Sequence, residues 1–296
     1  MKWFTSIFAV FVAQLVMASP LEKRASVNDV ATVGYATLNG GTTGGSGGTQ
    51  TTVTTLSALT SAVSGDAKKI VIISGTITGN TVVKVGPNTT VIGKTGSQLV
   101  GVGLRVLEVN NVIIRNVKIS KVLADAGDAI VILIMISYDG LLDITHGCTG
   151  VTVSNSKLYN HWKASLVGHS DSNGDEDVKI TVTYVGNYWS NLNSRTPSFR
   201  FGHGHIFNNY FENNNDGINT RDGAQLLVEN NVWVGGSDPL YATDEGFAVS
   251  KNNDFDGMED TAPTGNFNTA PYSYSLIATS SVVSSVKATA GQTLAF

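Results

Sequence analysis

A spacing of 22 residues runs through the second half of this chain and constrains its fold more than any other feature. Paired asparagines stand at Asn208-Asn209, Asn230-Asn231 and Asn252-Asn253, and an aromatic follows each pair in register, at Phe211, Trp233 and Phe255. Asn187 and Trp189 extend both series one step upstream. A fixed repeat of this kind belongs to a solenoid, whose units bury their apolar sides only against one another. The unit is too short, and too rich in β-branched residues, Gly and Asn, to hold a helical hairpin, and it lacks the leucine pattern of a leucine-rich repeat. Runs such as Ile180-Thr181-Val182-Thr183 and Leu226-Leu227-Val228 read as strands. Coils of short strands stacked into an all-β parallel β-helix are therefore expected. In that stack the corresponding Asn amides hydrogen-bond up a column while aromatics and Val/Ile pack inside.

Upstream, Ile70–Ile73, Val82-Val83, Val91-Ile92 and Val112–Ile114 continue the strand series at looser spacing. Leu56, Leu59 and Val63 behind Thr54 and Thr55 predict a short amphipathic helix, suited to capping the open N-terminal end of the solenoid. The tail after Asp260 reads as a segment covering the other end. No linker or second domain is expected within residues 25–296.

The first residues read as an address. Lys2, the apolar stretch Phe4–Val16 and the small-residue pattern Val16-Met17-Ala18 predict a signal peptide over residues 1–18. Leu21-Glu22-Lys23-Arg24 predicts a propeptide over residues 19–24 that ends in a dibasic cut. No segment has the length of a membrane span, so a secreted, soluble chain, monomeric by default, is expected. Removing Lys2, Glu22, Lys23 and Arg24 takes the formal charge from −4 to −6. Such a chain is not drawn to a polyanion by its overall field, which argues against a nucleic-acid partner; an acidic partner needs a local basic groove or a bridging cation. Cys148 is the single cysteine, either buried and inert or missing a partner. Asn88-Thr89-Thr90 is an N-glycosylation sequon, expected on a surface turn after Pro87.

Between Asn155 and Asn187 the spacing swells to 32, so one coil carries an extra polar loop, Gly168–Asp177. Long polar insertions on a rigid solenoid are where binding sites tend to sit. His161-Trp162-Lys163 precedes it, Asn193–Arg200 follows it, and Asp139-Gly140-Leu141-Leu142-Asp143 lies upstream. His203 and His205 read as a strand exposing alternate faces, not as a metal site.

From Tyr138 to Val232 the chain resembles the fungal pectate lyases of polysaccharide lyase family 1. The resemblance is carried by Asp-Gly-Leu-Leu-Asp-Ile-Thr-His-Gly from Asp139, His-Trp-Lys-Ala-Ser-Leu-Val-Gly-His-Ser-Asp from His161, and Arg-x-Pro-x-x-Arg from Arg195. Further matches begin at Gly34, Val112 and Asn219, so the likeness covers nearly all of residues 25–296. It implies a right-handed single-stranded parallel β-helix that cleaves polygalacturonate by calcium-assisted β-elimination. That reaction removes a proton α to an ionised carboxylate, and cations held on the carboxylate lower the barrier. Ca2+, a hard ion that takes oxygen ligands, suits the role, and the resemblance assigns its ligands to Asp128, Asp139 and Asp143. On a strand Asp139 and Asp143 would share a face, and a cation would relieve the repulsion between such carboxylates. The resemblance makes Lys163 the neutraliser of the substrate carboxylate, Arg195 the catalytic base and Arg200 its support. A guanidinium base needs surrounding positive charge to favour its transient deprotonation, or the help of a water.

Other readings stand beside this one. Gly202-His203-Gly204 resembles a signature of the polygalacturonases, β-helices that hydrolyse the same polymer with paired carboxylic acids, but the companion motifs are missing upstream. Pectin lyases, which act on methyl-esterified substrate without calcium, usually lack the acidic ligand set. Between Ala129 and Tyr138 the chain departs from the family: the apolar run Val131–Ile136 replaces a longer segment, and about one coil is missing near 130–138. Unless it is buried, that run has the composition of an aggregation-prone strand. An inactive or weakened polysaccharide-binding relative is therefore a further alternative.

Overall fold

The computed structural model describes residues 25–123, 130–133 and 140–296. The predicted leader and propeptide, Asp128 and Asp139 lie outside the described residues. Among those residues the strands form four parallel sheets that wrap a common axis as a β-helix. The longest sheet has nine strands. Its path runs from Leu240–Ala242 through Ile218–Arg221, Ser198–Arg200, Ser165–Val167, Leu142–Ile144, Ile130–Leu133 and Gln98–Leu107 to Thr76–Val85, with Ile119–Ser120 paired beside it. A five-stranded flank sheet comprises Val151–Ser154, Thr181–Val185, His203–Phe207, Gln225–Glu229 and Phe247–Lys251. A third sheet stacks Lys157–Lys163, Tyr188–Ser194, Tyr210–Asn214 and Val232–Gly236. A four-stranded sheet from Thr49–Val53 to Val112–Arg115 serves the N-terminal coils.

The 22-residue period appears as two internal columns. Asn187 Nδ2 donates to Asn209 Oδ1 at 3.0 Å, Asn209 to Asn231 at 2.9 Å and Asn231 to Asn253 at 3.0 Å. Each acceptor oxygen also takes the backbone N–H of the asparagine one coil below. The ladder thus satisfies the buried turn backbone, where an orphaned group costs roughly 1–3 kcal/mol. The first asparagine of each pair makes the turn itself: Asn208, Asn230 and Asn252 have φ of 55°, 49° and 51°, a region that Asn tolerates better than other side chains. Inside, Trp189, Phe211, Trp233 and Phe255 stack with ring centroids 5.7, 4.4 and 4.9 Å apart. Such contacts add roughly 0.5–1.5 kcal/mol each beyond area burial.

Helix α1, Leu56–Ala62, is capped by the Thr55 side chain accepting from Ala58 N–H at 3.2 Å, and buries Leu59 and Val63 over the N-terminal coils. Helix α2 is a single turn, Gly174–Asp177, in the inserted loop. The tail covers more than the far end. After bridging to Leu240 and Ala248 through Asp260 and Thr264, it turns back along the outside of the flank and third sheets. Tyr272 and Tyr274 bond to Thr183 and Glu229, and helix α3, Thr279–Thr289, lays Val282 and Val286 on Tyr210 and Val232. His203 and His205 both meet this tail: His203 packs edge-on to Phe267, and His205 contacts Tyr272 and Tyr274. Being two residues apart they share a face, not alternate faces as the sequence reading had it.

One coil is short. Ile130 pairs with Leu142, only 12 residues on, whereas Leu142 pairs with Ser165 and Ile218 with Leu240. Among the described residues the four-stranded sheet ends at Val112–Arg115, the flank sheet starts at Val151–Ser154, and the long sheet runs through both levels. Among the described residues the buried apolar side chains form one cluster from Val53 to Val106 and another from Leu142 to Ala248, with Ile130 packed against the second. Both terminal segments bond across this level. Tyr35 and Ala36 N–H donate to Thr183 and Thr152 Oγ1 in one half, while Thr43 and Gly44 N–H donate to Asn111 Oδ1 in the other. At the C-terminus Gly291 N–H reaches the Asn155 carbonyl, and Gln292 bonds to Gly96, Ser97 and Asn116.

Candidate active site

Strand alternation decides which side chains leave the long sheet. Leu142 and Ile144 lie in the core, so Asp143 between them faces out; Val167, Phe199 and Thr220 face in, so Ser198, Arg200, Asn219 and Arg221 face out. The turn entering this sheet is equally ordered. Lys163 stands on the rung of Ser194, the Leu141 N–H reaches the Lys163 carbonyl at 3.3 Å, and the Ser165 N–H reaches the Arg195 carbonyl at 2.8 Å. Gly140, Lys163 and Arg195 therefore occupy successive turns of one edge. Of the six residues singled out from the sequence, Asp143, Lys163, Arg195 and Arg200 come onto this edge and outer face.

Asp143 is only 2% exposed, and its Oδ1 accepts the Leu166 N–H at 3.2 Å. A Cβ on Gly140 would stand 2.2 Å from that oxygen, so the glycine leaves room for the carboxylate. Arg195 has φ of 61°, strained for a side chain of its size. Its N–H donates to Asp216 Oδ2 at 3.0 Å, and Tyr241 donates to Asp216 Oδ1 at 2.7 Å. Burial pushes the Asp216 carboxyl above the usual carboxylate range, against the pull of those two bonds. Asp216 escaped the sequence reading; the signal that could have found it is its position one coil beyond Arg195. The Thr196-Pro197 bond is cis.

Arg200 is gripped on several sides. Its Nε bonds to Asp171 Oδ1, Asp222 Oδ2 lies 3.3 Å away, and Nη1 donates to the Gly168 carbonyl at 3.1 Å. Arg221, on the adjacent rung, bonds to Asp244 at 2.8 Å and to Asp171 at 3.4 Å. The arginines hold the Asp171 carboxyl below its ordinary range, whereas burial and the neighbouring Asp171 charge raise that of Asp222. Expected as a binding loop, the insertion Gly168–Asp177 is largely sewn to the solenoid. Glu176 meets His146 at 2.9 Å, the buried Asp177 takes the Gly147 N–H at 2.8 Å, and the His146 and His169 rings stack at 4.1 Å. Its contribution to this face is Asp171.

Two other residues are placed here. Cys148, partly buried, packs against the C-terminal core, and burial pushes its thiol up to about 11, which disfavours the thiolate. Asn88 turns with φ of 52° and its amide is engaged by Asp66 and Asn111.

The face thus carries cations and carboxylates together: Lys163, Arg195, Arg200 and Arg221 stand among Asp143, Asp171, Asp216, Asp222 and Asp244. The class that the fold defines is the parallel β-helix proteins. A family model described as pectate lyase matches residues 4–138 and 134–294, and the two matches meet at the short coil. The probable pectate lyase A of Neosartorya fischeri is 53% identical over 323 aligned positions covering the whole of both chains. Pectate lyase A of Emericella nidulans is 54% identical, over 94% of this chain and 91% of that one. Among solved structures, pectate lyase Bsp165PelA from Bacillus sp. N165 in complex with trigalacturonate superposes with a TM-score of 0.75 at 29% identity, over 89% of this chain and 99% of that one. The chain belongs to the pectate lyase family, and is a polysaccharide lyase.

Proposed function

We propose that this chain is a secreted, monomeric pectate lyase that cleaves polygalacturonate, the de-esterified form of pectin, by calcium-assisted β-elimination. The observation that carries the reading is the register that sets Lys163 beside Ser194-Arg195 and Asp143 beside Leu166 on one open face. Lys163 supplies a positive charge to the uronate carboxylate, so that the adjacent C–H can release its proton. The Arg195 guanidine accepts that proton; the electron pair forms a C4–C5 double bond, the C4–O bond breaks, and the leaving sugar oxygen takes a proton from water, to which Arg195 then returns its own. Arg200, fixed by Asp171 and Gly168, adds positive charge to the same face. Asp216 holds the Arg195 backbone in place.

Asp128, Asp139 and Asp143 offer only carboxylate oxygens, the donor set of a hard divalent ion, and the buried, outward-facing Asp143 fits such a role. Bound there, calcium would supply positive charge to the substrate carboxylate. Residues 1–18 are proposed as the signal peptide, 19–24 as the propeptide and 25–296 as one β-helix domain.

The test is ultraviolet absorbance of the unsaturated product from polygalacturonate, with calcium present and then chelated. Growth that needs calcium supports the reading. A folded protein that binds polygalacturonate without producing absorbance would replace it with the polysaccharide-binding alternative, and calcium-free activity on methylated pectin with that of a pectin lyase.

A further inference from the structure

Beside the Lys163 edge lies an open groove of about 550 Å³ lined by Asn160, Trp162, Asn191, Asn193, Asn213 and Asn215, among others. The pairings of Tyr159 with Ser190, His161 with Leu192 and Lys163 with Ser194 put these residues in two columns along the solenoid axis. Asn160 and Asn191 stand in one, their amides 3.2 Å apart. Trp162 and Asn193 stand in the other, and the Ser194 hydroxyl donates to the Trp162 carbonyl at 3.1 Å.

Trp162 is 68% exposed, more than any other large hydrophobic among the described residues, and its ring has no aromatic or cationic contact there. An indole on a solenoid strand that is left open to water forgoes the stabilisation that a folded chain normally gains by burying it. The two other tryptophans in the described residues do so: Trp189 and Trp233 are 0% and 3% exposed.

We infer that Trp162 is the stacking platform for one uronate ring of the polymer, one residue before the lysine that faces the reacting unit, and that the Asn193 and Asn215 amides hold hydroxyls of the rings that follow. A pyranose ring offers C–H groups on one face and hydroxyls at its rim, which matches an indole flanked by amides. Rungs repeat every ~4.8 Å along the axis, close to the length of such a ring, so a chain running along the columns meets one rung per sugar. Trp162 and Lys163 belong to one rung, so stacking and charge neutralisation would act at one level of the polymer, with Asn193 and Asn215 on the rungs that follow. This assignment rests on the elimination reading of the Lys163–Arg195 face, but it concerns binding, not proton transfer.

The test uses the full chain with Trp162→Ala and Trp162→Phe. KM and kcat on polygalacturonate are measured alongside acrylamide quenching of tryptophan fluorescence, with and without trigalacturonate. Expected are an approximately tenfold rise in KM for Trp162→Ala at nearly constant kcat, recovery of most of that loss in Trp162→Phe, and shielding of the native fluorescence by the saccharide. An unchanged KM in Trp162→Ala, or quenching that the saccharide does not alter, overturns the inference while leaving the lyase reading intact. Shielding in a native chain that shows no turnover upholds the platform and sinks the elimination reading; neither shielding nor turnover sinks both.

Discussion

Arg195 shows how much local structure one functional side chain demands. Its left-handed backbone is held through its N–H by the Asp216 carboxylate one coil away, which Tyr241 also bonds, and through its carbonyl by the Ser165 N–H. Replacing Asp216 by Ala removes the acceptor of a strained N–H and leaves the Tyr241 hydroxyl without this partner. The expected result is a fall in kcat of about 100-fold, the order of loss that a misplacement of ~1 Å brings. Asp216→Asn keeps an acceptor oxygen and should retain activity within about tenfold of the native chain; equal losses in both variants would show that the charge matters instead. His205 makes a second prediction at this scale. Burial depresses its pKa from 6.5 to about 4, outweighing the attraction of Glu229 3.0 Å away. The folded state therefore resists protonation that the unfolded chain accepts, so stability is fully present above about pH 6.5 and declines as pH falls toward 4. Melting temperatures across that window should fall in the native chain and fall less in His205→Gln; parallel curves would remove His205 as the cause.

At the level of the element, the coil is fixed by what its turns must satisfy. Asn209→Ala orphans the Asn187 N–H, leaves the Asn187 amide with the Val153 carbonyl alone of its two acceptors, and removes the donor to Asn231 Oδ1 and the Tyr184 carbonyl. With roughly 1–3 kcal/mol for each buried group left unpaired, denaturant unfolding should show a loss of about 3 kcal/mol, against less than about 0.5 kcal/mol for the exposed Asn266→Ala. A repeat like this was readable in the sequence because every coil restates the same constraint at the same spacing. The α1 cap was readable for a similar reason, Thr55 and its apolar residues being local. Helix α3 was not: Thr279–Thr289 is Ser-, Thr- and Val-rich, poor in helix formers, and owes its form to the surface on which Val282 and Val286 rest. Lys163, Arg195 and Arg200 were legible only through motif resemblance, since lone basic residues on a polar stretch carry no pattern. The loop Gly168–Asp177 was legible as an insertion, but its ties to His146 and Gly147 depend on a contact between coils that spacing does not encode.

The whole molecule is organised around its short coil. Among the described residues two walls of the solenoid have no strand at that level, and segments near residues 35–44 and 291–294 bond across it. Gln292 alone joins Gly96, Ser97 and Asn116 by bonds of 2.9 Å, while Arg115 joins Asp29 and the Ser26 carbonyl and lies over the Phe296 ring. A solenoid behaves as a row of units coupled to nearest neighbours, so one thin junction sets the cooperativity of the row. Gln292→Ala weakens that junction without touching either core. Its calorimetric trace should split into two heat-absorption peaks where the native chain gives one, with the peaks closing again in a variant that restores the three bonds; a single peak shifted bodily downward would mean that the long sheet couples the halves unaided. In such a chain the coupling constant between its two ends is held by the residues that a fusion tag or a trimmed terminus disturbs first.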